Sequence, residues 1–438
     1  MKRCIAVVAG IVALIAVIAV LAGRAAAQEP VRTVHLDTLQ DAAMRTDPRA
    51  RQTALLRAQS ALREANLDAE RRPTLSVEGQ AQYQSDVAKI PFTLPGGTQP
   101  APPPHDTYDA RLVARQRLID PSLGPRRDVE RAQLAESEAR VATTLYPLRT
   151  AVDDAYFAAL LLQAQRSEIA SLITDLEAQH ELAADRVRAG SALPSEAAIL
   201  HAELLRRRQA LSELDANRGV ALDLLRDLTG VPVGPADTLV LPAGAVEQAA
   251  RAAMDTLRAR PEYRQFERSR DVLARQEAVA AARDKPRLIA FGRAGYGRPG
   301  LNPLAAEFDS YWLAGLQVEW SPWSWGTTRR DQQVLAIQRE VIATEEAAFT
   351  AALERGVLQD FATIDRLRAT LASDEQIIAL REQVLRETRA RYREGVITSA
   401  EYVDRQTDLA NARIDRARHT IELAQARARL RTRLGLEE

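Results

Sequence analysis

The chain has a single cysteine in 438 residues. It is Cys4, which precedes an apolar N-terminal run, so it cannot be the lipidated first residue of a mature lipoprotein. Once a leader is removed, no disulfide or thiol chemistry is left. Histidine is sparse as well: His35, His105, His180, His201 and His419 are scattered and show no HExxH or similar metal spacing. No glycine loop ending in Lys-Ser/Thr and no serine nucleophile elbow occurs, so an exported enzyme is a weak reading. The expectation is no catalytic residue, no cofactor and no metal. Net charge is also absent, with 59 Lys and Arg against 59 Asp and Glu, which argues against nucleic acid as a partner. Beyond the N-terminal region no apolar run is long enough for a transmembrane helix. If the chain enters a membrane it does so with strands, because backbone facing lipid is satisfied only by a helix or a closed barrel.

What is present begins with the leader. Lys2 and Arg3 precede an apolar stretch from Ile5 to Ala22, and Ala25-Ala26-Ala27 supplies a small-residue cleavage signal. Residues 1–27 therefore read as a secretory signal peptide, with the mature chain starting near Gln28. An uncleaved anchor is the alternative, since Ile5 to Gly23 is nearly long enough to span a bilayer.

The remainder states one pattern twice. Residues 28–235 read as helix, strand pair, very long helix, glycine turn and return helix, and residues 236–438 repeat that order. Gly190 lies 40 residues before Gly230, and Gly395 lies 40 residues before Gly435. Each turn glycine is followed six positions on by a glutamate, Glu196 or Glu401. Alternation marks strands over 74–84, 108–118, 287–297 and 311–320. Leu75, Val77, Gly79, Ala81 and Tyr83 oppose Thr74, Ser76, Glu78, Gln80 and Gln82, and Trp312, Ala314, Leu316 and Val318 oppose Leu313, Gly315, Gln317 and Glu319. The third run alternates less cleanly. Segments of this length and period suit transmembrane strands with a lipid face and a wet face, and aromatics gather at their ends. A half-buried soluble hairpin is the bland alternative, disfavoured by two hairpins at equivalent repeat positions. Four strands cannot close a barrel by themselves, so the chain must oligomerise. The breaker-rich connections Ser85 to Thr107 and Arg298 to Ser310 suit an outer surface.

Helical periodicity extends over 126–188 and again over 329–394, followed by return helices over 195–229 and 399–434. Rods of some 60 residues, about 90 Å at 1.5 Å per residue, exceed any compact core, so coiled-coil packing is their natural destination. Pro147 should kink the first rod locally. A soluble periplasmic coiled-coil scaffold would share this periodicity.

The stretch Tyr392-Arg-Glu-Gly395-Val-Ile-Thr398-Ser-Ala-Glu401-Tyr-Val-Asp404, its counterpart Arg188-Ala-Gly190-Ser-Ala-Leu-Pro-Ser195-Glu196, and the strand-to-helix passages Val318 to Gly326 and Leu118 to Gly124 resemble the TolC family of outer-membrane efflux proteins. The likeness covers essentially the whole mature chain. It implies a mainly α protein with transmembrane β, in which three protomers supply four strands each to one twelve-stranded barrel that an α-helical coiled-coil barrel continues into the periplasm. It further implies a passive exit duct in the outer membrane, fed by an inner-membrane pump through a periplasmic adaptor. By the same resemblance Gly190, Ser191, Ala192, Leu193 and Gly395, Val396, Ile397, Thr398 form the adaptor-docking tips, and Glu196, Tyr392, Glu401 and Asp404 line the pore constriction. Ile397 departs from the family pattern, standing where some members carry an arginine that ties the gate shut. The cargo is not legible.

Overall fold

The structure is a computed structural model and describes residues 32–87, 102–242, 244, 250, 258–302 and 306–436. The leader and parts of both hairpin connections lie outside the described residues. In chain order, β1 (Thr33–Val34) and α1 (Leu36–Thr46) lead through a short 3-10 turn into α2 (Gln52–Ala69), then the strands β2 (Thr74–Tyr83) and β3 (Asp106–Ile119). Helices α3 (Leu123–Leu145), α4 (Pro147–Arg188) and α5 (Pro194–Thr229) and the short β4 (Thr238–Leu239) follow. Helix α6 (Pro261–Ala282), strands β5 (Arg287–Arg298) and β6 (Asp309–Glu319), and helices α7 (Thr327–Arg393) and α8 (Ser399–Leu434) complete the described elements. The chain divides into two compact units that each draw on both halves of the sequence: Arg51–Thr144 with Pro261–Ala351, and Met1–Ala50 with Leu145–Arg260 and Ala352–Glu438.

The first unit carries a four-stranded antiparallel sheet in the order β2-β3-β5-β6. Its register sorts the side chains by polarity. Val77 pairs with Leu112, Leu112 with Ala294 and Ala294 with Trp312, which stacks the apolar positions of all four strands on one face. That face is bare: Val77 is 83% exposed, Trp312 76% and Leu316 67%. The other face carries Glu78, Arg111, Arg115, Arg293 and Gln317, with Arg111 bridging Glu78 at 2.7 Å and Asp109 at 3.0 Å. The blurred alternation of β5 has a physical reason. Phe291 sits on the polar face, where Gly315 opposite it leaves room for the ring, since a Cβ there would come within 2.8 Å. Among the described residues β2 and β6 gain no second strand partner, so both sheet edges stay open.

The second unit is built from α1, α4, α5, α8 and the C-terminal part of α7, with the two-residue parallel pair β1-β4. One apolar cluster gathers Val34, Leu39, Tyr156, Phe157, Leu225 and Leu239, and a second gathers Leu172, Leu176, Leu200, Leu204, Tyr392 and Tyr402. The Tyr156 hydroxyl lies 2.9 Å from the Val34 carbonyl and accepts from the Val240 N–H at 3.0 Å, tying both short strands to α4.

The rod expected over 126–188 is divided. Helix α3 ends at Leu145, a turn falls at Tyr146, and α4 starts at Pro147. Proline lacks the N–H that the preceding turn needs, and its ring crowds the carbonyl four residues back, so the helical hydrogen bonding is interrupted at Tyr146, which keeps helical dihedrals (φ −56°, ψ −40°). Helix α7 contains no proline and runs 67 residues without interruption.

Candidate functional site

Both long rods end in the same device. Gly190, at φ +72°, donates to the Val187 carbonyl at 3.0 Å, while Ser191 N–H reaches back to Arg186 O at 2.9 Å. Gly395, at φ +76°, donates to Tyr392 O at 3.1 Å, and Val396 N–H reaches Arg391 O at 2.9 Å. This pairing of a left-handed glycine with a six-residue return bond closes the carbonyls at a helix C-terminus. Each return helix then starts from an extended residue, Leu193 before Pro194 and Thr398 before Ser399. The Thr398 hydroxyl accepts from the Glu401 N–H at 3.3 Å, so Thr398-Ser-Ala-Glu401 follows the capping-box spacing.

At the turns Ser191, Leu193, Val396 and Thr398 are exposed, with Ala192 and Ile397 half-buried. Leu193 and Val396 are both 68% exposed, so each tip presents an apolar side chain to solvent. Behind the tips the two turns are fastened together. Glu196 Oε2 accepts the Ser399 N–H at 2.6 Å, placing a carboxylate from one return helix on the N-terminus of the other, where the helix dipole favours it. The Tyr392 hydroxyl lies 3.1 Å from Ser399 Oγ, and its ring stacks on Tyr402 with centroids 5.0 Å apart. Arg186 donates to the carbonyls of Tyr392 at 3.2 Å and Arg393 at 2.7 Å, its guanidinium 5.8 Å from the Tyr392 ring centroid. Burial pushes the Tyr402 phenol above its ordinary pKa, against the opposing pull of the neighbouring Arg389 guanidinium.

The structure thus brings Glu196 and Tyr392 together through Ser399. Within this chain Glu196 is committed to a backbone N–H, and Tyr392 is only 4% exposed. Glu401 and Asp404 are exposed on α8, and among the described residues neither carboxylate has an ion pair. Arg186, Ser399 and Tyr402 were not singled out from the sequence. The capping-box spacing marks Ser399 as a helix start, yet nothing local announces an acceptor 203 residues away.

No family model and no curated protein matches the sequence. Solved structures do. The CusC crystal structures, described in connection with transmembrane channel formation, share 18% identity at a TM-score of 0.65, covering 91% of this chain and 92% of that one. The open-state MtrE outer membrane channel of Neisseria gonorrhoeae shares 19% at 0.61, covering 91% and 88%. This chain has the outer-membrane channel fold. The outer membrane protein VceC of Vibrio cholerae, 16% identical at a TM-score of 0.58, covers 91% and 96%. These counterparts are channel and outer-membrane proteins. With 16–19% identity, the likeness is one of backbone fold. Among the described residues no helix is long and apolar enough to cross a membrane, and no three His, Cys, Asp or Glu side chains group to hold a metal ion.

Proposed function

We propose that this protein is the outer-membrane channel of an efflux or secretion system, a passive duct through which cargo leaves after an inner-membrane pump delivers it by way of a periplasmic adaptor. The bare apolar face of an open-edged sheet carries the proposal. Exposed Val77, Leu112, Trp312 and Leu316 in one layer would be costly in water, at roughly 25 cal/mol per Å² of apolar surface, and are at home in lipid. Both sheet edges need partners, and three copies bring twelve strands, above the roughly eight that closure requires. In this proposal residues 1–27 are a cleaved signal peptide, the two sequence repeats contribute one hairpin each to the barrel, and the rods continue it as a coiled-coil barrel in the periplasm. The tips at Gly190 to Leu193 and Gly395 to Thr398 dock the adaptor. Glu401 and Asp404, three apart on one helix face, set rings of carboxylates in the passage, with Glu196 and Tyr392 holding the two tips together behind them.

Membrane fractionation tests this. Detergent-extracted, heat-modifiable trimers from the outer membrane are expected, and a monomer in the soluble periplasmic fraction would support the coiled-coil scaffold in their place.

Gly395→Val tests the docking tip. No atom lies within 4 Å of a Cβ built at Gly395, so the change adds no clash and acts only through its positive φ. A β-branched residue there costs about 1–3 kcal/mol of backbone strain, which the exposed turn relieves by changing shape. Pump-dependent export is expected to fall severalfold while trimers persist. Undiminished export with trimers intact would remove this turn from the docking surface.

A further inference from the structure

The polar face of the sheet holds a cavity of about 810 Å³ whose wall carries seven arginines against three carboxylates. The carboxylates are largely spent. Glu70 takes Arg126 through both oxygens, at 2.7 and 2.8 Å, and Arg117 at 2.7 Å. Asp120 accepts from the Ser122 N–H and hydroxyl at 3.0 and 2.7 Å and lies 3.4 Å from Arg117. Three cations are left over. Arg115 comes no nearer than 4.0 Å to Glu78, which Arg111 already holds at 2.7 Å. Arg72 and Arg293 have no carboxylate partner among the described residues. The Nε atom of Arg293 is buried and forms no hydrogen bond, and that of Arg287 lies 3.7 Å from Asp120 Oδ1. An excess of guanidinium groups over carboxylates around one cavity favours an anion there.

Apolar groups in the same wall narrow the class. Along β5, Arg287, Ile289, Phe291 and Arg293 share this face, so cations sit at both ends of a hydrophobic stretch about 20 Å long at 3.3 Å per residue. The Phe291 ring centroid lies 5.8 Å from the Arg293 guanidinium. Guanidinium groups pair with sulfonate, carboxylate or phosphate oxygens, and the ring and aliphatic side chains between them suit an apolar body.

We propose that this cavity binds organic anions with an apolar body and that it biases the duct toward such cargo at its sheet end. The second clause rests on the channel function proposed above, in which the polar sheet face lines the duct; the binding site does not. The test uses the full chain in detergent and pyrene trisulfonate as a fluorescent probe, followed by anisotropy at low salt. Saturable binding is expected, weakened at least tenfold in Arg115→Gln/Arg293→Gln and unchanged in Arg206→Gln, which alters an exposed arginine on α5. Naphthalene sulfonate should compete and inorganic sulfate should not. Absent binding, or equal losses in both variants, would overturn the site, and equal competition by sulfate would overturn its apolar part. Trimer formation is read on the same samples. Trimers without binding count against the site alone, and binding by a soluble monomer counts against the channel alone.

Discussion

Replacing Gly356 by leucine is expected to destabilise the protein by about 1–3 kcal/mol. The sign is opposite to the usual one, since an interior helix glycine ordinarily costs about 1 kcal/mol relative to alanine. Gly356 lies within α7, and its missing side chain is the seat of the Arg433 guanidinium from α8, so that an added Cβ would overlap that group. From there Arg433 Nε donates to Asp360 Oδ2 at 2.6 Å, one helical turn along from Gly356. Asp360 is only 5% exposed, and burial raises its pKa against the opposing pull of Arg433. Displacing the guanidinium therefore takes from a buried carboxylate its hydrogen-bonded cation and leaves it only the more distant attraction of Arg429, which costs more than the helix gains. Melting of the detergent-solubilised protein checks this: Gly356→Leu should melt well below the parent, and Gly356→Leu/Asp360→Asn should recover part of the loss, because asparagine needs no counter-charge. An unshifted Gly356→Leu, or no recovery in the double variant, would show that the glycine and the ion pair are uncoupled.

This seat also illustrates what was legible in the sequence and what was not. Turn glycines can be read because left-handed φ is a local demand, and Gly190 and Gly395 both adopt it. Strand faces can be read where polarity alternates, as at Leu75 and Val77. They blur where a pair across strands compensates, as Phe291 does over Gly315. Pro147 announced a local interruption, because the hydrogen bond it removes is a property of the residue itself, and the helix assignment lapses at Tyr146. Nothing marked Gly356 as different from a tolerated helix glycine, because its partner arrives from 77 positions later. The candidate site divides the same way. Its turns and its capping box are local and visible, whereas the Glu196 contact with Ser399 and the Arg186 bonds to the Tyr392 and Arg393 carbonyls join the two repeats and exist only in three dimensions.

Asp153→Asn is expected to stabilise the protein at neutral pH and to have no effect near pH 4. Asp153 is 3% exposed on α4, and burial pushes its pKa up to about 6. The surrounding groups oppose that shift only in part. Gln40 donates its amide to one carboxylate oxygen and Thr432 its hydroxyl to the other at 3.3 Å, Arg149 attracts the negative charge, and Asp154 repels it. An unfolded aspartate titrates near 3.9, so over this interval the folded protein holds a proton that the unfolded chain has released. Stability at this site is therefore full below about pH 4, declines as the pH rises from about 4 to 6, and is lost above that. The loss at neutral pH amounts to roughly 2–3 kcal/mol, at 1.36 kcal/mol per pKa unit. Asparagine keeps the acceptor oxygen for Gln40 without the charge and escapes the loss. Melting curves of parent and variant should coincide near pH 4 and separate by a few degrees by pH 7, the variant higher. A gap that stays constant with pH would assign the effect to packing, and a variant melting lower at neutral pH would mean that the folded state needs this carboxylate ionised.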